Sequence, residues 1–220
     1  MTNSINPGKY NQYLNLKNVA ARVNEIFGEL SDKSPESIKI ANIEKQFEYH
    51  KNSALFDHTL CQATEEEVLH WKKLCRIADK EICMFLDTVP ELYFILTEDK
   101  MNIGMCACNY GLNQTIKRFL DHKTAPFLQD KSGYNILMHL AMNNNKEMLK
   151  YGLKYTTLLR QQTKDLGYNV GMIAAAHGMI DIAKECNKDV EAKRQYTPDG
   201  KNIQFFIDRH VAEVNFEPTF

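Results

Sequence analysis

Residues 167–178 read Gly167-Tyr168-Asn169-Val170-Gly171-Met172-Ile173-Ala174-Ala175-Ala176-His177-Gly178. Asn169 stands where a helix start wants a side-chain oxygen, because the first backbone N–H groups of a helix have no partner inside it. Gly167, two residues earlier, admits the positive φ of a tight turn, and Gly178 tolerates the left-handed conformation that stops a helix. The small pair Ala174-Ala175 lets a second helix approach closely. The stretch predicts a turn, a short helix and a second turn.

Worked outward, this pattern recurs. Asn102-Ile103, Asn135-Ile136, Asn169-Val170 and Asn202-Ile203 are spaced by 33, 34 and 33 residues. Other columns move in step: Met105, Met138, Met172 and Phe205 lie three residues after each Asn, and Lys100, Gly133, Gly167 and Gly200 two before. Gly111 and Gly178 close the first helix, with Asn144 in the same place. A second amphipathic helix follows, as in Ile116, Phe119 and Leu120, so the unit reads turn, helix, turn, helix. Ile82-Cys83-Met84-Phe85-Leu86-Asp87 recurs 34 residues later as Ile116 to Asp121, which places an earlier, less regular unit from Thr64. Thr64 and Glu67 have capping-box spacing ahead of Val68, Leu69 and Trp71.

The unit resembles the ankyrin repeat, whose period is about 33 residues and whose signature reads Gly-x-Thr-Pro-Leu-His-x-Ala-Ala-x-x-Gly. The third unit matches both terminal glycines and the Ala pair, and Gly133 to Ala141 keeps the Leu and one Ala. Asn replaces the family's Thr, Ile or Val its Pro, and Met its His. Loss of that Thr and His leads us to expect looser turns than in consensus repeats. The resemblance covers residues 64–210 and weakens at both ends, as terminal repeats do. It implies an all-α, ankyrin-type helical repeat stack, divided as 64–97, 98–129, 130–163, 164–196 and a partial 197–212, with a tail at 213–220.

Upstream, Tyr13, Leu16, Val23, Phe27 and Leu30, with Val19 and Ile26 alongside, share one face of a helix running from Tyr10, and Ser34-Pro35 starts another that reaches His50. Leu55, Phe56 and Leu60 are expected to be buried. Residues 1–63 are expected to be a helical cap on the first repeat, since about 60 residues make a marginal domain alone. No apolar run approaches the roughly 20 residues of a membrane span, and no secretory signal is legible at the N-terminus.

The chain has 220 residues, 44% hydrophobic and 25% charged, with a net charge of −1, so no global field draws it to nucleic acid, although a basic patch could exist locally. Cys75, Cys83, Cys106, Cys108 and Cys186 lie in apolar, helix-like segments and read as reduced thiols, which places the chain in the cytoplasm. Cys106-x-Cys108 lacks the further ligands a metal site needs, Cys108 falls in the small column and Cys106 in an exposed one. Asn143-Asn144-Asn145 reads as a polar turn, and Gly167-x-x-x-Gly171 is explained by its turn. No metal, cofactor or catalytic residue is assigned.

The resemblance also implies where partners bind, namely the finger tips and the exposed face of each first helix. By register these are Met101, Lys131, Ser132, Tyr134, Asp165, Leu166 and Tyr168 on the fingers, and Tyr110, Met142, Asn143 and His177 along the groove. Tyr134 and Tyr168 share a column; they either anchor a partner or pack against their own turns. The expected function is a monomeric protein-binding adaptor or scaffold that binds no nucleic acid. An enzyme is the alternative, with its site in the N-terminal part or at its junction with the repeats and His58, Cys61 and His70 as the residues to test. The Asn-, Lys- and Ile-rich composition is also similar to that of ankyrin effectors which intracellular bacteria such as Legionella deliver into host cells. Glu213 to Phe220 would then serve as a secretion signal.

Overall fold

Helix starts carry the fold of this chain, and the longest of them is set by Thr64. Its hydroxyl accepts from the Glu67 backbone N–H at 3.2 Å, while the Glu67 carboxylate accepts from the Thr64 backbone N–H at 2.8 Å. The computed structural model describes residues 16–40 and 63–215, and the described residues are all-α, with an isolated bridge between Leu96 and Asn102. The chain divides into two compact units, Met1–Leu92 and Tyr93–Phe220.

In the first unit, α1 (Leu16–Asp32) buries Val19, Val23, Ile26 and Leu30 of the face its periodicity predicts, while Leu16 is exposed and Phe27 half-buried. It packs on α2 (Glu65–Thr88), whose Cys75, Ala78, Ile82 and Phe85 are buried. Two polar links tie the pair: Trp71 Nε1 donates to the Leu30 carbonyl at 3.2 Å, and Arg22 pairs with Glu81 at 3.0 Å. Ser34 Oγ accepts from the Ser37 backbone N–H at 3.2 Å, so the helical stretch 35–40 starts at Ser34-Pro35. The helix start at Tyr10, the run to His50, the burial of Leu55, Phe56 and Leu60, and residues His58 and Cys61 lie outside the described residues.

The expected first repeat, 64–97, is not a helix pair. α2 runs unbroken for 24 residues. The reason is local: the place held by Gly111 in the next unit is held by Ile77, and a β-branched residue does not enter the left-handed conformation that would stop the first helix. The second half of α2 still keeps the repeat's burial, since Ile82, Phe85 and Leu86 are as buried as Ile116, Phe119 and Leu120. α2 lies within the first compact unit, which runs to Leu92.

The second unit holds the repeats. Their first helices are α3 (Ile103–Cys108), α5 (Ile136–Met142), α8 (Val170–Ala176) and α11 (Ile203–Asn215); α4 (Asn113–Asp121), α6 (Lys146–Gly152) and α9 (Ile180–Cys186) are the second helices. The first helices pack in series, α3 on α5, α5 on α8 and α8 on α11. All four asparagines do the same work. The side-chain oxygens of Asn102, Asn135, Asn169 and Asn202 accept from the backbone N–H groups of Met105, Met138, Met172 and Phe205 at 2.9, 3.1, 3.0 and 3.0 Å. Gly111, Asn144 and Gly178, with φ of 64, 53 and 74°, turn the chain between first and second helices. Gly171 belongs to the packing rather than to a turn: a Cβ there would lie 2.9 Å from Cys186 Cβ and 2.8 Å from Ile203 Cδ1.

A third helical turn closes each unit and was not expected. It is a 3-10 turn at Ala125–Phe127, then α7 (Thr156–Leu159) and α10 (Val190–Lys193). The carbonyls of Ala125, Leu158 and Ala192, in fully buried residues, accept from the side-chain amides of Asn102, Asn135 and Asn169 at 3.4, 2.8 and 3.1 Å. Each Asn thus caps the first helix of its repeat and holds the end of the same repeat.

Candidate protein-binding face

The loops between repeats are short fingers closed by a backbone bond. Thr97, Asp130 and Thr197 donate N–H to the carbonyls of Met101, Tyr134 and Lys201, four residues on, and Thr163 donates to Tyr168, five on. Lys100, Gly133, Gly167 and Gly200 take the positive φ that each turn needs, at 61, 88, 63 and 80°. The extra residue that lengthens one period to 34 is therefore in the third finger. Set beside Asp130-Lys131-Ser132-Gly133-Tyr134 and Thr197-Pro198-Asp199-Gly200-Lys201, the run Thr163-Lys164-Asp165-Leu166-Gly167-Tyr168 has Leu166 as its insertion.

Loss of the family's Thr and His does not leave the fingers without side-chain locks. Thr97, Thr163 and Thr197 hydroxyls accept from the backbone N–H groups of Met101, Tyr168 and Lys201 at 3.1, 3.0 and 2.9 Å. Asp130 Oδ1 accepts from Ser132 and Tyr134, both at 2.9 Å. Glutamines add a further layer, because Asn135 and Asn169 amides also donate to Gln161 and Gln195, each at 2.9 Å. Gln161 then reaches back to the Phe127 carbonyl at 3.2 Å and Gln195 to that of Arg160, which ties each repeat to the one before. Consecutive fingers are joined as well: Lys131 N–H donates to the Asp99 carbonyl at 2.8 Å, and Lys164 N–H to that of Ser132 at 2.9 Å. Sequence reasoning missed the Thr97, Asp130, Thr163, Thr197 column, although its spacing of 33, 33 and 34 was legible.

Of the residues assigned to partner contact, Lys131, Ser132, Met142, Asn143, Asp165, Leu166 and His177 are exposed, and Met101, Tyr110, Tyr134 and Tyr168 are half-buried. Asn143 donates to Asn109 of the preceding repeat at 3.1 Å, which joins the groove row between these two repeats. Both tyrosine rings pack within the stack and stay half-buried at its surface. Tyr168 meets Phe206 of the next repeat edge-on, with ring centroids 5.3 Å apart, and Tyr134 lies 5.9 Å from His139. Burial, then the Asp130 carboxylate, pushes the Tyr134 phenol above its ordinary range. These rings explain a correction: the column of Cys106 is not open along the stack, since Cys106 is half-buried and His139, Ile173 and Phe206 are buried. His139 Nε2 bonds Asp130 Oδ2 at 3.0 Å, and burial lowers the imidazole's affinity for a proton although the carboxylate pulls the other way.

Cys75, Cys83, Cys106, Cys108 and Cys186 are free thiols; burial pushes Cys106 up to about 11 and Cys186 up to about 12, which keeps both from being nucleophiles at neutral pH. His70 is exposed on α2. Among the described residues no group of three His, Cys, Asp or Glu is placed to hold a metal, and no helix is long and apolar enough to cross a membrane.

Short helix pairs capped by a buried Asn, stacked in series and joined finger to finger, define a helical repeat protein of the kind that presents a continuous side to other proteins. Residues 104–194 match the family model for ankyrin repeats in 3 copies, and the chain is an ankyrin-repeat protein over that stretch, a protein–protein interaction module. No curated protein matches the chain.

Proposed function

We propose that the finger tips, with the exposed ends of α3, α5 and α8, form the docking face of an adaptor or scaffold for a protein partner. The observation that carries this reading is Leu166. It is the one inserted residue of the finger series, it is 49% exposed, and it stands at a tip beside Asp165, the counterpart of Asp99, Ser132 and Asp199. Met142, 43% exposed, adds a second apolar contact beside half-buried tyrosines, the residue type that anchors interfaces at low entropic cost. The backbone bonds between fingers hold the face in place before a partner arrives, which lowers the cost of binding.

Deleting Leu166 tests this reading, because it restores the four-residue finger of the neighbouring repeats and leaves Tyr168 free to keep its contact with Phe206. Capture of the partner, isolated by affinity from a lysate with the wild-type chain, is expected to fall by at least about tenfold, with thermal unfolding within a few degrees of wild type. Undiminished capture by this variant and by Met142→Asp would refute the face. The compositional likeness to bacterial effectors supports a host-cell protein as that partner. A translocation assay on a chain ending at Val214 tests it, and export that persists would retire the tail as a secretion signal.

A further inference from the structure

The chain is neutral to within a single charge, yet its cations are not evenly spread. Residues 113–123 and 146–154, which hold α4 and α6, carry Lys117, Arg118, Lys123, Lys146, Lys150 and Lys154 against Asp121 and Glu147, with Asp181 of α9 paired to Lys150 at 3.0 Å. α4 and α6 pack side by side, so these cations share one surface. None of the residues of the finger face takes part.

An open cleft lies on this surface, lined by Tyr93, Gln114, Lys117, Arg118, Asp121 and His122. One wall is aromatic. The rings of Tyr93 and His122 stack with centroids 4.3 Å apart, and Phe94, half exposed, meets His122 edge-on at 5.5 Å. His122 Nδ1 accepts from the backbone N–H groups of Thr124 and Ala125 at 3.3 and 3.1 Å. That bonding places the hydrogen of a neutral ring on Nε2 and makes the ring a donor on its other side.

The carboxylate in the lining is already engaged. Asp121 receives the Tyr151 hydroxyl at 2.7 and 2.8 Å, the Tyr155 hydroxyl at 2.9 Å and the Lys154 ammonium at 3.3 Å. Lys154 lies 4.0 Å above the Tyr151 ring, and Lys117 sits 5.4 Å from the same centroid, against a π face. What the cleft offers a ligand is therefore cationic and hydrogen-donating, with an apolar wall beside it.

We propose that this cleft is a second binding surface, for an acidic peptide segment whose carboxylates meet Lys117 and Arg118 and whose apolar side chain lies against Tyr93 and His122. A nucleic acid fits less well. Lys150 and Lys154 are paired with Asp181 and Asp121, which leaves no continuous run of cations for a phosphate backbone to follow.

The test is fluorescence anisotropy with the whole chain and a fluorescein-labelled peptide of alternating Glu and Phe, against peptides with Gln or Lys in place of Glu and a labelled oligothymidylate. The Glu peptide is expected to bind, to weaken with added salt, and to lose at least about tenfold in affinity in Lys117→Glu/Lys123→Glu. Lys117→Gln, a milder change at an exposed position, is expected to lose about threefold with unchanged circular dichroism. Equal binding of the Gln peptide, affinity unaltered in Lys117→Gln, or tighter binding of oligothymidylate would each overturn the proposal. Deleting Leu166 is expected to leave this binding intact, so that failure here and failure of the finger face are told apart.

Discussion

Replacing Asn135 separates the two jobs that its side chain performs. Its oxygen caps α5, and its amide holds the Leu158 carbonyl at 2.8 Å and Gln161 at 2.9 Å in a residue of 0% exposure. Asn135→Ala removes everything. Loss of the cap costs about 1 kcal/mol, and stranding a buried carbonyl with a partly buried amide oxygen costs roughly 2 kcal/mol more. Asn135→Thr restores the residue type of the family consensus and can still cap, but it has no amide to donate. It is expected to lose about 2 kcal/mol, most of the Ala deficit. For a unit of this size a kcal/mol moves the melting temperature by roughly 3 to 4 °C, so the expected falls are about 10 °C for Ala and about 6 °C for Thr. Circular dichroism at 222 nm during thermal and urea unfolding measures both. A Thr variant within about 0.5 kcal/mol of wild type would mean that the cap alone matters, and the claim that each Asn ties the two ends of its repeat would be wrong.

Two further outcomes follow from the same structure. Lys100 takes φ of 61° where the other fingers have glycine; a non-glycine residue there costs about 1 kcal/mol or more, so Lys100→Gly is expected to raise the melting temperature by roughly 2 to 4 °C, and a fall would show that the side chain is needed. Burial holds the His139 imidazole below its ordinary value of 6.5, so the unfolded chain takes up a proton more readily than the folded one. Stability is therefore unaffected well above pH 6.5 and is lost as the pH drops through it; the urea midpoint is expected to be lower at pH 5.5 than at pH 7.5, with a smaller drop in His139→Gln, and equal drops would assign the loss to other groups.

The helix starts were legible because a cap demands a side-chain oxygen, and Asn in four registered places leaves little else for it to do. The unbroken α2 was legible too, in principle, from Ile77 standing in the column of Gly111 and Gly178; the 34-residue echo of Ile82 to Asp87 outweighed it, although that echo speaks only for a second helix. The third turn of each repeat left a fainter mark. Its contribution is a main-chain carbonyl, which any residue supplies, so Ala125, Leu158 and Ala192 show no common side chain, and only Gln161 and Gln195 betray the bond. Burial of His139 was hidden for another reason. Register places it on the open side of α5, and the cover over it comes from Tyr134 on a finger, a contact that helical periodicity does not describe.

The spacing itself divides the repeat into a part that cannot change length and a part that can. From Asn102 to Ala125, Asn135 to Leu158 and Asn169 to Ala192 the separation is 23 residues each time, and a hydrogen bond joins the two ends. An added residue inside that span would carry the carbonyl away from the amide and rotate every later side chain of a helix off its buried face. The finger is free of that constraint, because it is closed by one bond and leans on its neighbour through the main chain. An insertion there is absorbed by moving the acceptor from the fourth residue to the fifth, as Thr163 and Tyr168 do. The one place where the stack has gained a residue is thus a place where the core does not register the gain, and the residue gained, Leu166, is apolar and faces solvent. Packing gives no reason for a leucine there, which is why the docking face proposed above is tested first at this residue.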